Sequence, residues 1–224
     1  MSEKVRAVIK PYVFFPVAVW IVVNTVTYYL SRKIVSLLGI PYHSVETVLD
    51  SKIPFFAPFM VIYVLAYVQW AATFLYIITR SKDAAYRFIA AETAAKLISF
   101  LIFIVFPTVM ERPEISGGGF FEWLTSVIYS ADRPDNLFPS MHCLESWFCF
   151  RALKKYTDTR PCFVAAEGVF TFLVFLSVVF VKQHMFLDII GGIAVAEIGL
   201  FISEKFRFYR LVYKSEPPFL KNRD

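Results

Sequence analysis

Two histidines and an aspartate carry the first chemical signal in this chain. His184 and Asp188 stand four residues apart, the spacing that brings two side chains onto one face of a helix. A carboxylate so placed accepts the Nδ1 proton of the imidazole. That fixes the tautomer and leaves Nε2 with a lone pair, ready to act as nucleophile or base. His142 follows Pro139-Ser140-Met141 at the opening of another apolar stretch. A second histidine in the opposite protonation state could give and take the proton at a leaving or attacking oxygen. The chain has 3 histidines in all; the third, His43, is read as a polar loop residue. Ser140 taken alone is an N-cap, a position that serine favours. Glu92 and Lys96 stand one helical turn apart and are expected to neutralise each other inside a bundle. The triple glycine 117–119 lacks the Lys-Ser/Thr that follows in a P-loop and is read as a connector.

The elements that must position these residues follow from composition. The chain has 224 residues, 58% hydrophobic and 18% charged, with 25 Phe and 12 Tyr against 8 Gly. A water-soluble globule could not cover that much apolar surface, so most of the protein is expected in lipid. Six apolar segments are found, near 12–30, 55–78, 88–106, 139–153, 163–181 and 185–202. A bilayer core needs about 20 apolar residues per helix. Five segments approach that length; the fourth is short and carries Glu145. The first follows Lys4, Arg6 and Lys10, but no small-x-small cleavage site ends it, so it is read as a retained helix and not as a signal peptide. The expected fold is therefore an all-α polytopic membrane protein, a six-transmembrane-helix bundle forming a single integral membrane domain over 1–224.

Orientation follows from the basic residues. With six crossings, sixteen of the 23 lysines and arginines fall on the side of the termini and loops two and four. Six fall on the other side: Arg32, Lys33, Lys52, Arg112, Arg133 and Lys182; Lys96 lies within a helix. Both termini are expected in the cytoplasm, with loops one, three and five outward. His142 and His184 then enter the membrane on the outward face, beside the long loop 107–138. The net charge of +5 is assigned to the membrane surface, not to nucleic acid, since no basic stripe with interleaved aromatics appears. The 3 cysteines form no C-x-x-C, and free thiols are expected.

The run Asn136-Leu137-Phe138-Pro139-Ser140-Met141-His142 resembles the P-S-x-H form of the second motif of the type 2 phosphatidic acid phosphatase superfamily, closest to its inositol-phosphorylceramide-synthase-like branch. Ser177, Lys182, His184 and Asp188 resemble the third motif, and Arg112-Pro113 resembles the end of the first. The resemblance covers about 107–192. It departs at three points: Val105 stands where the first-motif lysine would fall, Val178 where the third-motif arginine would fall, and Met141 where glycine is usual.

The resemblance implies a membrane lipid phosphatase working through a phosphohistidine on His184, with Asp188 orienting it and His142 as general acid and base. Arg112, Ser140, Met141 and Lys182 would hold the phosphoryl group, at a helix N-terminus suited to anions. Arg133 and Asn136 are further candidates, and Lys182 or Arg133 would replace the missing cations. This chemistry needs no metal or cofactor. Three functions are carried forward: hydrolysis of a lipid phosphate ester or diphosphate at the plasma membrane, transfer of a phospho-headgroup to an acceptor alcohol, and, in a different class, non-catalytic transport using Glu92, Lys96, Asp188 and Glu197. The partners implied are the bilayer and its lipid phosphates, with oligomeric state open.

Overall fold

The structure is a computed structural model that describes residues 10–218. Lys4, Arg6, Lys221 and Arg223, which enter the count of cations, lie outside the described residues. Among the described residues the chain is helical, with no strand. The helices are α1 (Pro11–Leu38), α2 (Val48–Lys52), α3 (Ala57–Arg80), α4 (Lys82–Val105), α5 (Phe120–Ala131), α6 (Met141–Tyr156), α7 (Pro161–Phe180), α8 (Phe186–Lys205) and α9 (Tyr209–Ser215).

Helices α1, α3, α4, α7 and α8 are long and apolar enough to cross a membrane. Helix α6 has 16 residues and carries four charges, so it is not among them. Its position explains its sequence. It packs against α3, α7 and α8, and His142, Cys143, Leu144, Glu145, Ser146, Phe148 and Cys149 are all buried. A helix surrounded by protein need not present an apolar surface all round. The exposed apolar surface is carried by others: Leu97, Leu101 and Val105 of α4, Phe172 of α7 and Phe201 of α8 are exposed.

Two expectations are corrected. The apolar run predicts that the first helix ends near 30; it continues to Leu38, closed by Gly39 in the left-handed conformation (φ 62°). Ser31 and Val35 are buried where the last turns pack on α4, so the stripe facing the bundle outlasts the apolar run. Arg32 and Lys33 are thus helical, not loop residues. Loop three also holds a helix of its own, α5, which the triple glycine leads into.

Between helices in lipid, van der Waals packing and polar contacts replace the hydrophobic drive, and small residues allow close approach. Helix α8 shows this on two sides. A Cβ at Gly199 would stand 2.7 Å from Ala95 Cβ on α4. A Cβ at Gly192 would stand 2.6 Å from the Ser140 carbonyl oxygen, and one at Gly191 would meet the Phe138 ring at 2.5 Å. The entrance of α6 is therefore pressed directly onto α8. On its other side α6 is held by a polar network. Trp70 Nε1 donates to Ser146 Oγ (2.8 Å), Ser146 Oγ donates to Gln69 Oε1 (2.8 Å), and Gln69 Nε2 donates to Glu167 Oε1 (2.8 Å) and Thr171 Oγ1 (3.2 Å). Each such bond contributes about 0.6 kcal/mol in a membrane protein, and together they link α3, α6 and α7.

Candidate active site

The site begins where α7 ends. Gln183 N–H donates to the Val178 carbonyl (2.9 Å) and Lys182 N–H to the Val179 carbonyl (3.3 Å). With Lys182 at φ 50°, this is a Schellman closure with a left-handed C′ residue. The turn leaves His184 in an extended linker, its N–H also on the Val178 carbonyl (3.0 Å). Helix α8 starts two residues later.

Asp188 lies in the first turn of α8. Its Oδ2 accepts the Met185 N–H (2.8 Å) and lies 3.2 Å from His184 Nδ1. The pair meets through a capping turn, not along one helix face as the spacing alone suggests, because His184 precedes the helix. The carboxylate is fully buried and His184 is 8% exposed, so the imidazole is held with only a small part open.

His142, the second residue of α6, is fixed by aromatic rings. Tyr63 stacks on it at 3.9 Å, and Tyr67 and Trp70 meet it edge-on at 5.1 and 4.9 Å. Its ring centroid lies 6.1 Å from that of His184. Its Nε2 is buried with no hydrogen-bond partner among the described residues. What joins the two histidines is the docking of α6 on α8: Ser140 N–H donates to the Asp188 carbonyl (3.0 Å) and Ser140 Oγ accepts from Cys143 N–H (3.2 Å). Ser140 is thus an N-cap whose hydroxyl is already engaged.

Both histidines line a cavity of about 380 Å³, together with Met141, Asn136, Lys96 and Glu145 and an aromatic wall that includes Tyr28, Tyr67 and Trp70. Asn136, at φ 55°, donates from Nδ2 to Ser31 Oγ (3.1 Å). Arg112 is not on the cavity wall but next to it. Its Nη1 donates to the Asp132 carbonyl (2.6 Å), its Nη2 donates to Gln183 Oε1, and the guanidinium lies over the Tyr129 ring at 4.6 Å. Burial lowers its pKa from the ordinary arginine value, with Asp132 opposing that shift. Burial also pushes the Tyr129 hydroxyl up to about 12, so it stays protonated and donates to the Val181 carbonyl (2.7 Å). Arg112 thereby grips the residue next to His184.

The other residues singled out in the sequence are placed differently. Lys182 Nζ donates to the carbonyls of Asp50 (2.8 Å) and Ile53 (2.6 Å), because its left-handed backbone turns the side chain toward α2. There it lines a second cavity of about 330 Å³, which His184 also borders. Arg133 is exposed, and its carbonyl accepts from Arg32 (3.3 Å). His43 stacks on Phe106 at 4.7 Å. Ser177 Oγ donates within its own helix to the Val174 carbonyl (2.8 Å). Lys96 does not pair with Glu92 along α4. Its ammonium meets Glu145 of α6, while Glu92 Oε1 accepts from Asn24 Nδ2 of α1 (3.3 Å). Residues that sequence reasoning left out are Tyr63, Tyr67 and Trp70 around His142, and Gln183, which holds Arg112. An apolar helix with aromatics gives no signal for the former, and a lone glutamine gives none for the latter.

No curated protein and no solved structure matches the chain. A family model described as the PAP2 superfamily matches residues 34–202, which takes in both histidines, Asp188 and the whole cavity wall except the part contributed by α1. The chain therefore belongs to the PAP2 superfamily, whose chemistry is of the phosphatase type.

Proposed function

We propose that the protein is an integral membrane enzyme that cleaves a lipid phosphate ester or diphosphate through a phosphohistidine on His184. His184 Nε2 attacks phosphorus; the N–P bond forms as the P–O ester bond breaks, and His142 delivers its proton to the leaving oxygen. His142, now neutral, takes a proton from the incoming hydroxyl. That oxygen attacks phosphorus, the N–P bond breaks, and His184 is restored. Asp188 accepts the Nδ1–H hydrogen bond throughout, stays ionised and balances the imidazolium charge. Arg112 and the first N–H groups of α6, at Met141 and His142, are the donors proposed for the phosphoryl oxygens. The observation that carries this reading is the buried His184–Asp188 contact (3.2 Å) facing His142 across one cavity.

In this reading α6 is the sixth crossing, both termini are cytoplasmic, and the site opens outward at the plasma membrane, as the basic-residue bias favours. A second outcome is transfer to an acceptor alcohol, as in the inositol-phosphorylceramide-synthase-like branch; an alcohol in place of water would use the same residues. A transport role is disfavoured by the polar groups themselves. Lys96 pairs with Glu145, Glu197 with Trp147 and Arg151, and Asp188 with His184, so they close on one another instead of forming a path.

The test is incubation of the purified protein with labelled lipid phosphates, with and without acceptor alcohols. Free phosphate marks hydrolysis and a new labelled lipid marks transfer. His184→Ala is expected to abolish both products, and full activity in that variant would refute the mechanism.

A further inference from the structure

Phosphoryl transfer at His184 needs cations, and the two that family motifs would supply are valines here. Val105 is 76% exposed on the outer face of α4, and Val178 is fully buried in α7, so neither position now serves the cavity. The other cations near the site lie off the wall of the cavity that both histidines line. Lys182 holds two backbone carbonyls, and Arg112 holds the Asp132 carbonyl and Gln183. Among the described residues that line the cavity of His142 and His184, one is a lysine or arginine: Lys96.

Lys96 is 1% exposed, at a depth where a charge is costly and marks function by default. Its ammonium rests on Glu145, which lies three residues after His142 on α6 and therefore on the same helix face. Glu92, one turn away on α4, is engaged with Asn24 and is not part of the cavity wall, so Glu145 sets the resting position. An ammonium has three donors on a four-carbon stem. One can stay on Glu145 while another turns toward an oxygen beside His142. The second sign of an absent ligand is His142 Nε2, buried without a partner among the described residues.

We propose that Lys96 is a second cation, beside Arg112, that binds the substrate's phosphoryl oxygen in this enzyme, held ready by Glu145 in the cavity of the two histidines; the proposal rests on the phosphohistidine reading above. It replaces from the bundle interior what the first motif supplies at the helix end. The substrate's phosphate is thereby drawn into the cavity instead of resting at its rim.

The experiment uses the full-length protein in detergent, with orthovanadate as the phosphoryl probe and the labelled lipid substrate for turnover. Lys96→Met combined with Glu145→Gln removes both partners of the ion pair together and leaves Glu92 on Asn24. It is expected to weaken vanadate inhibition and lower kcat/KM by about 10- to 100-fold, the effect of one hydrogen bond to a charged group. Glu145→Gln alone keeps the ammonium and removes its ion-pair partner on α6, so its vanadate inhibition is expected to be unchanged or tighter. Lys96→Arg should retain inhibition within about fivefold. If the double variant keeps wild-type vanadate inhibition, or if Glu145→Gln weakens it as much as the double variant does, the pair is structural and the proposal fails. His184→Ala in the same assay separates the two readings: its activity, not that of the Lys96 variants, decides the phosphohistidine.

Discussion

Substituting Gly192 by alanine tests whether the docking of α6 on α8 sets the catalytic geometry. The added Cβ would lie 2.6 Å from the Ser140 carbonyl oxygen and 2.9 Å from the Leu144 nitrogen. Both are backbone atoms and cannot rotate away. An ordinary contact there is roughly 3.4 Å, so the two helices must part by roughly 0.8 Å. Laid along the Ser140 N–H to Asp188 carbonyl bond of 3.0 Å, that displacement stretches it to about 3.8 Å, beyond a hydrogen bond. His142 and His184 sit on opposite sides of this joint. Misplacement of reacting groups by about 1 Å costs around 10²-fold in rate, while overpacking costs about 1–3 kcal/mol of stability. In detergent, with kcat and KM measured on a labelled lipid phosphate, Gly192→Ala is expected to lose about 30- to 100-fold in kcat, with KM within about threefold and Tm lowered by several degrees. Gly118→Ala, where a Cβ meets nothing within 4 Å, is the control and should match wild type. A Gly192→Ala enzyme with kcat within about twofold of wild type would refute the idea that this close approach positions the histidines.

Three further outcomes can be checked with the same assay. Asp188→Asn should lower kcat by about 10²- to 10⁴-fold with the chain still folded, because the amide can cap Met185 but cannot balance an imidazolium; near-normal kcat would remove Asp188 from the mechanism. Lys182→Met should cost about 1–3 kcal/mol of stability by stranding the carbonyls of Asp50 and Ile53, with KM for the lipid unchanged; a large rise in KM would instead assign Lys182 to the phosphate. Chelation of divalent ions should leave turnover intact, since covalent catalysis on histidine needs none; loss of activity that one added metal restores would contradict this.

What was legible in the sequence depended on how each residue is held. His142, His184 and Asp188 stood out because polar groups within apolar runs are rare; the structure brings the two histidines to one cavity, with Asp188 against His184. Helix positions were legible where a single apolar run spans lipid, as in α3, α7 and α8. Side-chain direction was not legible. Lys182 is two residues from His184 in sequence, yet its backbone at φ 50° sends its ammonium toward α2. Lys96 and Glu92 have the spacing of an intrahelical pair, yet interhelical partners on α6 and α1 compete successfully because both face the bundle. The end of α1 was missed because a burial stripe of Ser31 and Val35 needs no continuous apolar run.

Helix α1 also bears on the selectivity expected of the proposed enzyme. The family match begins at residue 34, so nearly all of α1 precedes it. Yet Asn24, Thr27, Tyr28 and Tyr29 line the cavity, and the last three lie in a π turn over Val26–Leu30. Single π turns inside helices are frequent at functional sites. The same helix holds the acidic part of loop three. Tyr28 donates to the Asp132 carboxylate, Arg32 pairs with both Asp132 and Asp135, and the Asp132 carbonyl in turn receives Arg112. The chain of contacts runs from α1 through loop three to Arg112 and Gln183, and so to the residue beside His184. Both histidines lie in the matched region, whereas the cavity wall is built in part by a helix that mostly precedes it. Relatives with the same histidines and a different first helix should therefore keep the reaction and change the lipid.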